Sequence, residues 1–356
     1  MNQQLRIQIF HRVTSGLFFL YGVLLLGTSN SYADFVLPSS PPVPKDNPQT
    51  PAKVHLGKML YFDPRLSVDG TVSCNSCHNV MGAGDDGRSV SVGVKGQKGD
   101  RSSPTVFNAA FMSVQFWDGR AASLEEQAKG PLTNPIEMGM KDHDAVMERV
   151  KQIPGYASSF KKAFPGEEDP LTIDHLAKAI AAYERTLITP NAPFDRFMGG
   201  SQSAISASAK RGWKKVQEVG CLACHNGVNF AGPTLPEGQG FFMKFPTFPN
   251  NEYVKKYGFE KDGGRYRVTK KEEDRHFYRV SSWRNVARTA PYFHNGKVET
   301  LDEAVRVMAK TQLNLDLEQD AVEDIVSFLE SLNGEIPKQT MPKLPLVNKK
   351  SVVDIR

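Results

Sequence analysis

Cys74-Asn75-Ser76-Cys77-His78 and Cys221-Leu222-Ala223-Cys224-His225 are the two stretches on which the reading of this chain turns. Each is Cys-x-x-Cys-His, the attachment pattern of c-type haem: two thioether bonds hold the porphyrin edge and the adjoining imidazole reaches the iron. A structural zinc site wants four protein ligands, and each segment offers three. A thioredoxin-like pair has no need of a following His. All four Cys of the chain fall in this pattern, and with 8 His in 356 residues chance would rarely put one behind both pairs. The sequence therefore predicts two covalently bound haem c groups, with His78 and His225 as ligands to the iron.

Working outward, each motif should follow a helix. Ser208 to Val219 has that pattern, with Trp213 and Val216 on one face and Gly220 to end it. Thr50 to Leu60 is the weaker counterpart, with Pro51 at its first position. Leu171 to Leu187 has helical spacing, and Thr189-Pro190-Asn191-Ala192-Pro193 then breaks it. Further on, Thr300 and Glu303 form a capping box ahead of a helix with Ala304, Val305 and Met308. Asp316 is expected to cap a last helix carrying Val322, Ile325, Val326 and Leu329, ended by Gly334. Residues 34–52 are Pro-rich and extended, residues 82–103 form a Gly-rich loop, and 226–279 are loop-rich. Strand-like alternation is scarce. The expected fold is mainly α: two cytochrome-c-like haem domains with long loops, 34–190 and 191–356.

Composition agrees with a packed protein: 40% of residues are hydrophobic and 23% charged, which excludes global disorder. A net charge of +5 with no long basic run gives no case for nucleic acid as a partner. The N-terminus reads as a secretory signal, residues 1–33. Arg6, His11 and Arg12 precede an apolar run from Gly16 to Gly27, and Ser31-Tyr32-Ala33 supplies small residues for cleavage. That run is short for a membrane span; the alternative is an uncleaved anchor. A periplasmic location and no stable membrane insertion after cleavage are expected.

With these motifs in view, the chain resembles the bacterial dihaem cytochrome c peroxidase family. The resemblance is carried by Leu56-Gly57-Lys58, Phe62-Asp63-Pro64-Arg65-Leu66-Ser67 and the first haem motif. It continues through Ser103-Pro104-Thr105-Val106-Phe107-Asn108, Phe116-Trp117-Asp118-Gly119-Arg120, Glu126-Gln127-Ala128 and Ile136-Glu137-Met138. Leu187-Ile188-Thr189-Pro190, the second haem motif, Thr289-Ala290-Pro291-Tyr292-Phe293-His294 and Ala304-Val305 with Met308 complete it.

The resemblance implies a low-potential peroxidatic haem in the N-terminal half and a high-potential electron-entry haem in the C-terminal half. Met/His ligation raises a haem potential. The Met residues after His225 and before the tail are Met243 and Met308. Met308 is the one in the family motif; on the residues alone it is equally a core gap-filler. Glu137 matches the family's acid/base residue, Gln127 a polar neighbour in the peroxide pocket, and Trp117 the tryptophan between the haems. The same resemblance implies hydrogen peroxide as substrate, a small cytochrome c or cupredoxin as electron donor, and a homodimer. Asp118, Arg120 and His294 are expected to hold local structure. His55, His143, His175 and His276 are expected to face solvent or satisfy local hydrogen bonds.

Two departures stand out. Many family members carry a His in the Gly-rich loop as a sixth ligand to the resting N-terminal haem, whereas this loop reads Gly93-Val94-Lys95-Gly96-Gln97. Val94 cannot bind iron, so that haem is expected to have an open face in the oxidised protein. The family also holds a Ca²⁺ between its halves. Thr289 and Pro291 match its carbonyl donors, and Ser102 stands where Asn is usual. Two rival functions remain. One is a dihaem oxidase that modifies a protein through high-valent haem; that group also lacks the loop His but uses Tyr where this chain has Met308. The other is a pure electron-transfer dihaem cytochrome.

Overall fold

Thr50 caps the first α-helix among the described residues: its hydroxyl accepts the Lys53 amide at 3.2 Å, and Pro51 takes the first position, where no donor is needed. The structure, a computed structural model, describes residues 32–347 and 351–353. The expected signal peptide lies outside the described residues except at its last two positions. No helix among the described residues is long and apolar enough to cross a membrane.

The fold is mainly helical. The first half holds α1 (Pro51–Phe62), α2 (Cys74–Cys77), α3 (Leu124–Thr133), α4 (His143–Lys151), α5 (Pro154–Ala163) and α6 (Ile173–Glu184). The second holds α7 (Pro193–Met198), α8 (Ala207–Glu218), α9 (Glu252–Tyr257), α10 (Tyr266–Thr269), α11 (Leu301–Leu313) and α12 (Gln319–Glu330). Among the described residues the strands are β1 (Phe242–Lys244) and β2 (Phe277–Arg279), an antiparallel ribbon with Met243 opposite Tyr278.

Each haem motif is preceded by a helix that packs on a partner at backbone distance. In the first half a Cβ at Gly57 of α1 would stand 1.8 Å from the Ala179 carbonyl oxygen of α6. In the second a Cβ at Gly212 of α8 would stand 1.9 Å from the Asp324 carbonyl oxygen of α12. The two pairs, α1 with α6 and α8 with α12, are the same device used twice. Gly is required because the helices cross where a side chain would otherwise be.

Around the first pair lies a core that includes Leu56, Leu60, Val146, Tyr156, Leu176 and Ile180, all buried. Around the second lies an aromatic cluster: Phe194 meets Trp213 at 5.0 Å and Phe328 at 5.2 Å, both edge-on. Such edge-to-face pairs add to the burial of the rings themselves. The chain ends are exchanged between these cores. Phe35, near the start, packs into the second core, where its carbonyl accepts from Arg284 at 2.6 Å. Ile336, Leu344 and Val352, from the tail, pack on the first, and the Pro345 carbonyl accepts from Arg65 at 2.8 Å. The break at Thr189 is also a tie, since its buried hydroxyl accepts from Asn108 and Asn285 at 2.8 Å each.

Two expected caps are corrected. Thr300 precedes α11 but makes no side-chain bond to the helix amides, and Glu303 does not turn back on it. The Glu303 carboxylate instead accepts from the Tyr257 hydroxyl at 2.6 Å and Lys256 at 3.0 Å, a phenol and an ammonium that outcompete a backbone amide. Asp316 does not cap the last helix, which starts after Glu318; Asp316 pairs with Lys310 at 2.6 Å.

Candidate haem and peroxide site

The first motif is a single turn of helix closed by the His78 amide donating to the Cys74 carbonyl at 2.9 Å. The Ser73 amide donates to Ser76 Oγ at 3.0 Å, and the Tyr61 hydroxyl donates to the His78 carbonyl at 2.7 Å. His78 Nδ1 lies 2.9 Å from the Pro104 carbonyl oxygen. A carbonyl only accepts, so Nδ1 carries the proton and Nε2 keeps its lone pair for a metal. The second motif repeats the arrangement: His225 Nδ1 lies 3.0 Å from the Phe230 carbonyl, and the Trp283 indole stacks on the imidazole at 4.3 Å. Burial lowers the pKa of both imidazoles, that of His225 to about 4, so both stay neutral, the form that ligates.

The four cysteines are unpaired. Burial pushes the Cys77 and Cys221 thiols up to about 11 and raises Cys74 and Cys224 as well. These are not activated thiolates of the redox or nucleophilic kind. Among the described residues no three His, Cys, Asp or Glu side chains converge on a point where they could hold an ion. This geometry does not suit zinc and does suit thioether attachment.

A cavity of about 480 Å³ is bordered by Cys221, Cys224 and His225, with Leu301, Val305 and Leu329 on its apolar wall. Protein interiors are otherwise close-packed, and this volume is that of a ligand site. An apolar, ligand-sized space beside two thiols and an imidazole with a free lone pair fits haem c.

The sequence-selected residues divide into two groups, one bordering this cavity and one, Glu137 and Gln127, away from its wall. Met308, on α11, borders the cavity that His225 borders, and so does Met243, on β1. Both methionines considered from the sequence are therefore brought to the same space. Trp117 borders it as well, and its indole N–H donates to the Ser102 carbonyl at 2.8 Å. Ser102, Thr289 and Pro291 line the same cavity, while the Thr289 hydroxyl is turned to the Val286 carbonyl at 3.1 Å.

Glu137 and Gln127 belong to the second group, beside the first haem motif's half of the molecule. Gln127 lies in α3 one turn before Pro131, whose carbonyl accepts the Met138 amide at 3.2 Å; this folds Glu137 back over the end of that helix. Asn134 Nδ2 donates to the Glu137 carboxylate at 3.0 Å. Burial raises the pKa of this acid, with Arg120 pulling the other way. The Gly-rich loop is pinned directly against it. The Val94 amide donates to the Glu137 carbonyl at 2.9 Å, and a Cβ at Gly93 would stand 1.9 Å from the Ile136 carbonyl oxygen. The Val94 side chain is 1% exposed and belongs to the first core.

Several site features had no sequence signal. The Pro104 and Phe230 carbonyls that orient the histidines, and Trp283 stacked on His225, are set by loop paths alone. Of the other described histidines, three are satisfied by nearby carbonyls. His175 Nδ1 meets the Pro170 carbonyl at 3.0 Å, His143 Nε2 the Lys129 carbonyl at 3.2 Å and His276 Nδ1 the Asp262 carbonyl at 2.9 Å. His294 is buried and stacks on Tyr278 at 4.6 Å, and His55 is exposed.

Comparison with known proteins agrees with this geometry. A family described as di-haem cytochrome c peroxidase matches residues 51–203. The cytochrome c551 peroxidase of Pseudomonas aeruginosa is 47% identical over 290 residues, covering 82% of this chain and 81% of the relative. The chain belongs to the di-haem cytochrome c peroxidase family. It is an oxidoreductase of that peroxidase class and carries two haem c groups. The family also reaches the methylamine utilization protein MauG of Methylorubrum extorquens, 38% identical and covering 88% of this chain and 87% of the relative. A solved MauG-like protein associated with microbial copper homeostasis superposes with a TM-score of 0.73 at 26% identity, over 84% of this chain and 95% of that one.

Proposed function

We propose that this di-haem protein is a periplasmic peroxidase that reduces hydrogen peroxide to two waters with two protons and two electrons from a small redox protein. The observation that carries the reading is Glu137: a carboxyl whose pKa burial has raised, held beside a loop with Val94 where a ligating His would close the iron. When bound, the haems supply the electrons and the iron that polarises the peroxide bond. The chain's own residues move protons. His78 would hold the haem at which peroxide reacts, and the Glu137 carboxylate would take a proton from the bound peroxide there. The same carboxyl would return that proton to the peroxide oxygen that departs as water. Gln127 hydrogen-bonds the peroxide.

His225 and Met308 would hold the haem at which electrons enter, and Trp117 borders the same space and would lie on the electrons' way to the other haem. Residues 34–190 and 191–356 are the two haem domains in this reading. The donor is a cytochrome c or a cupredoxin, docking through a small transient interface, and the enzyme works as a homodimer. A Ca²⁺ held by Ser102, Thr289 and Pro291 is part of the same reading; chelation followed by calorimetry tests it, and unchanged stability and activity would remove it.

The test is peroxide addition to the fully oxidised protein, followed optically and by EPR, and then turnover with reduced donors. Fast reaction in the oxidised state with donor oxidation at two electrons per peroxide is expected. A second reading, an oxidase that modifies a protein, is favoured by Val94 and by the resemblance to MauG. It predicts fast reaction with peroxide but no turnover with either class of donor. No reaction in any redox state would leave a pure electron-transfer protein.

A further inference from the structure

Arg279 borders the cavity beside Trp117, and the acids packed near that wall are already taken. Asp118 is held by Arg101 at 2.6 Å and Arg120 at 3.0 Å, and its backbone carbonyl accepts from Arg265 at 2.8 Å. Asp262 is taken by Arg101 at 2.6 Å and Arg267 at 3.5 Å. These two carboxylates are already paired. Arg279 is left over. It sits at the end of β2, is 8% exposed, and borders the cavity. Its Nε donates to the Phe116 carbonyl at 3.2 Å and its Nη1 leans on the Val280 carbonyl at 3.4 Å. No carboxylate among the described residues pairs with it.

A buried cation without an anion is costly, and a guanidinium cannot escape by losing its proton at working pH. Burial lowers its pKa only to about 10, with Asp118 opposing from a distance, so the charge persists. A chain built this way is completed by an anion supplied from the cavity. Haem carries two propionate carboxylates on one edge, and carboxylate is the group whose two oxygens match the guanidinium fork. Met112 and Asn229 stand with Arg279 in the wall between this cavity and a small neighbouring one, and Asn229 donates to Met112 Sδ at 3.0 Å.

We propose that Arg279 is the positioning residue for a propionate of the haem attached at Cys221 and Cys224, and that its charge holds that haem's reduction potential up. A fixed cation beside the propionate favours the reduced iron, which carries one positive charge fewer. Loss of the cation therefore lowers the potential.

The experiment is spectroelectrochemical titration of the loaded R279Q and R279K proteins, with the two haems resolved. In R279Q the reduced-to-oxidised ratio of the His225 haem at a fixed applied potential is expected to fall about tenfold, which is ~59 mV for a one-electron couple. R279K should recover most of that loss, because the charge is kept. Wild-type potential in R279Q, or a shift confined to the haem of His78, overturns the proposal. If R279Q does not mature, the resonance Raman propionate bending mode of R279K decides. That mode is expected to shift from the wild-type position because one ammonium replaces a two-pronged donor, and an unchanged mode overturns the assignment.

Discussion

The backbone amide of Val94 donates to the backbone carbonyl of Glu137 at 2.9 Å. The residue that stands in the place of a closing ligand and the proposed proton carrier are thus one hydrogen bond apart, and the loop cannot move without releasing the turn that holds the acid. Because the Val94 side chain is packed in the core, the loop is anchored without any metal contact. Oxidised wild-type protein is therefore expected to react with peroxide without prior reduction. V94H should slow that first reaction in the oxidised state. Equal rates in the two proteins, measured by stopped flow, would remove the loop from the mechanism.

Glu137 itself is tested by E137Q. The amide keeps the hydrogen bond acceptor for Asn134 but can carry no proton between peroxide oxygens. A loss of about 10²–10⁴-fold in peroxide turnover is expected, the usual worth of a general acid–base group. The ferric and ferrous spectra of both haems should be unchanged.

Met243 and Met308 border the same cavity, and substitution separates them. M308L is expected to remove the methionine-to-iron absorption of the His225 haem and to lower its potential, since Met ligation raises it. M243L should leave both intact. The reverse pattern would move the ligand to β1.

The glycine contacts between helices give a stability prediction. G57A and G212A each force a methyl against a backbone carbonyl at less than 2 Å, and backbone cannot rotate away as a side chain can. Overpacking of this kind costs about 1–3 kcal/mol. Thermal unfolding of both variants should show it, with G57A and G212A behaving alike.

A pH effect is expected from Glu184, on α6. Its side chain is buried, Oε2 has no partner, and burial pushes its pKa up to about 8 against the opposing charge of Arg185. In the unfolded chain the group titrates near ~4.3. Between these values the folded protein holds a proton that the unfolded chain releases. Stability therefore falls as pH rises through that window, by up to about 1.4 kcal/mol per unit, and the effect vanishes below the lower value. E184Q should match wild type near pH 4 and exceed it at pH 8 in denaturant unfolding. Equal curves at both pH values would show that the acid has found a partner.

Local pattern alone was enough for the haem motifs, the helices around them and the mainly helical class, because covalent attachment and helix periodicity are both written in short spacings. The resemblance to the family also marked Val94, which stands where that family commonly carries a His. Other features needed the folded chain. The cap expected at Thr300 and Glu303 gave way to Tyr257 and Lys256, too distant in sequence for a local rule to weigh, while Asp316 turned to Lys310 across the loop before the last helix. The carbonyls that orient His78 and His225, the exchange of the chain ends between two cores, and the unpaired charge of Arg279 all depend on which segments meet. Such meetings are decided by packing over the whole molecule, where one close approach at Gly57 or Gly212 sets the path of everything that follows.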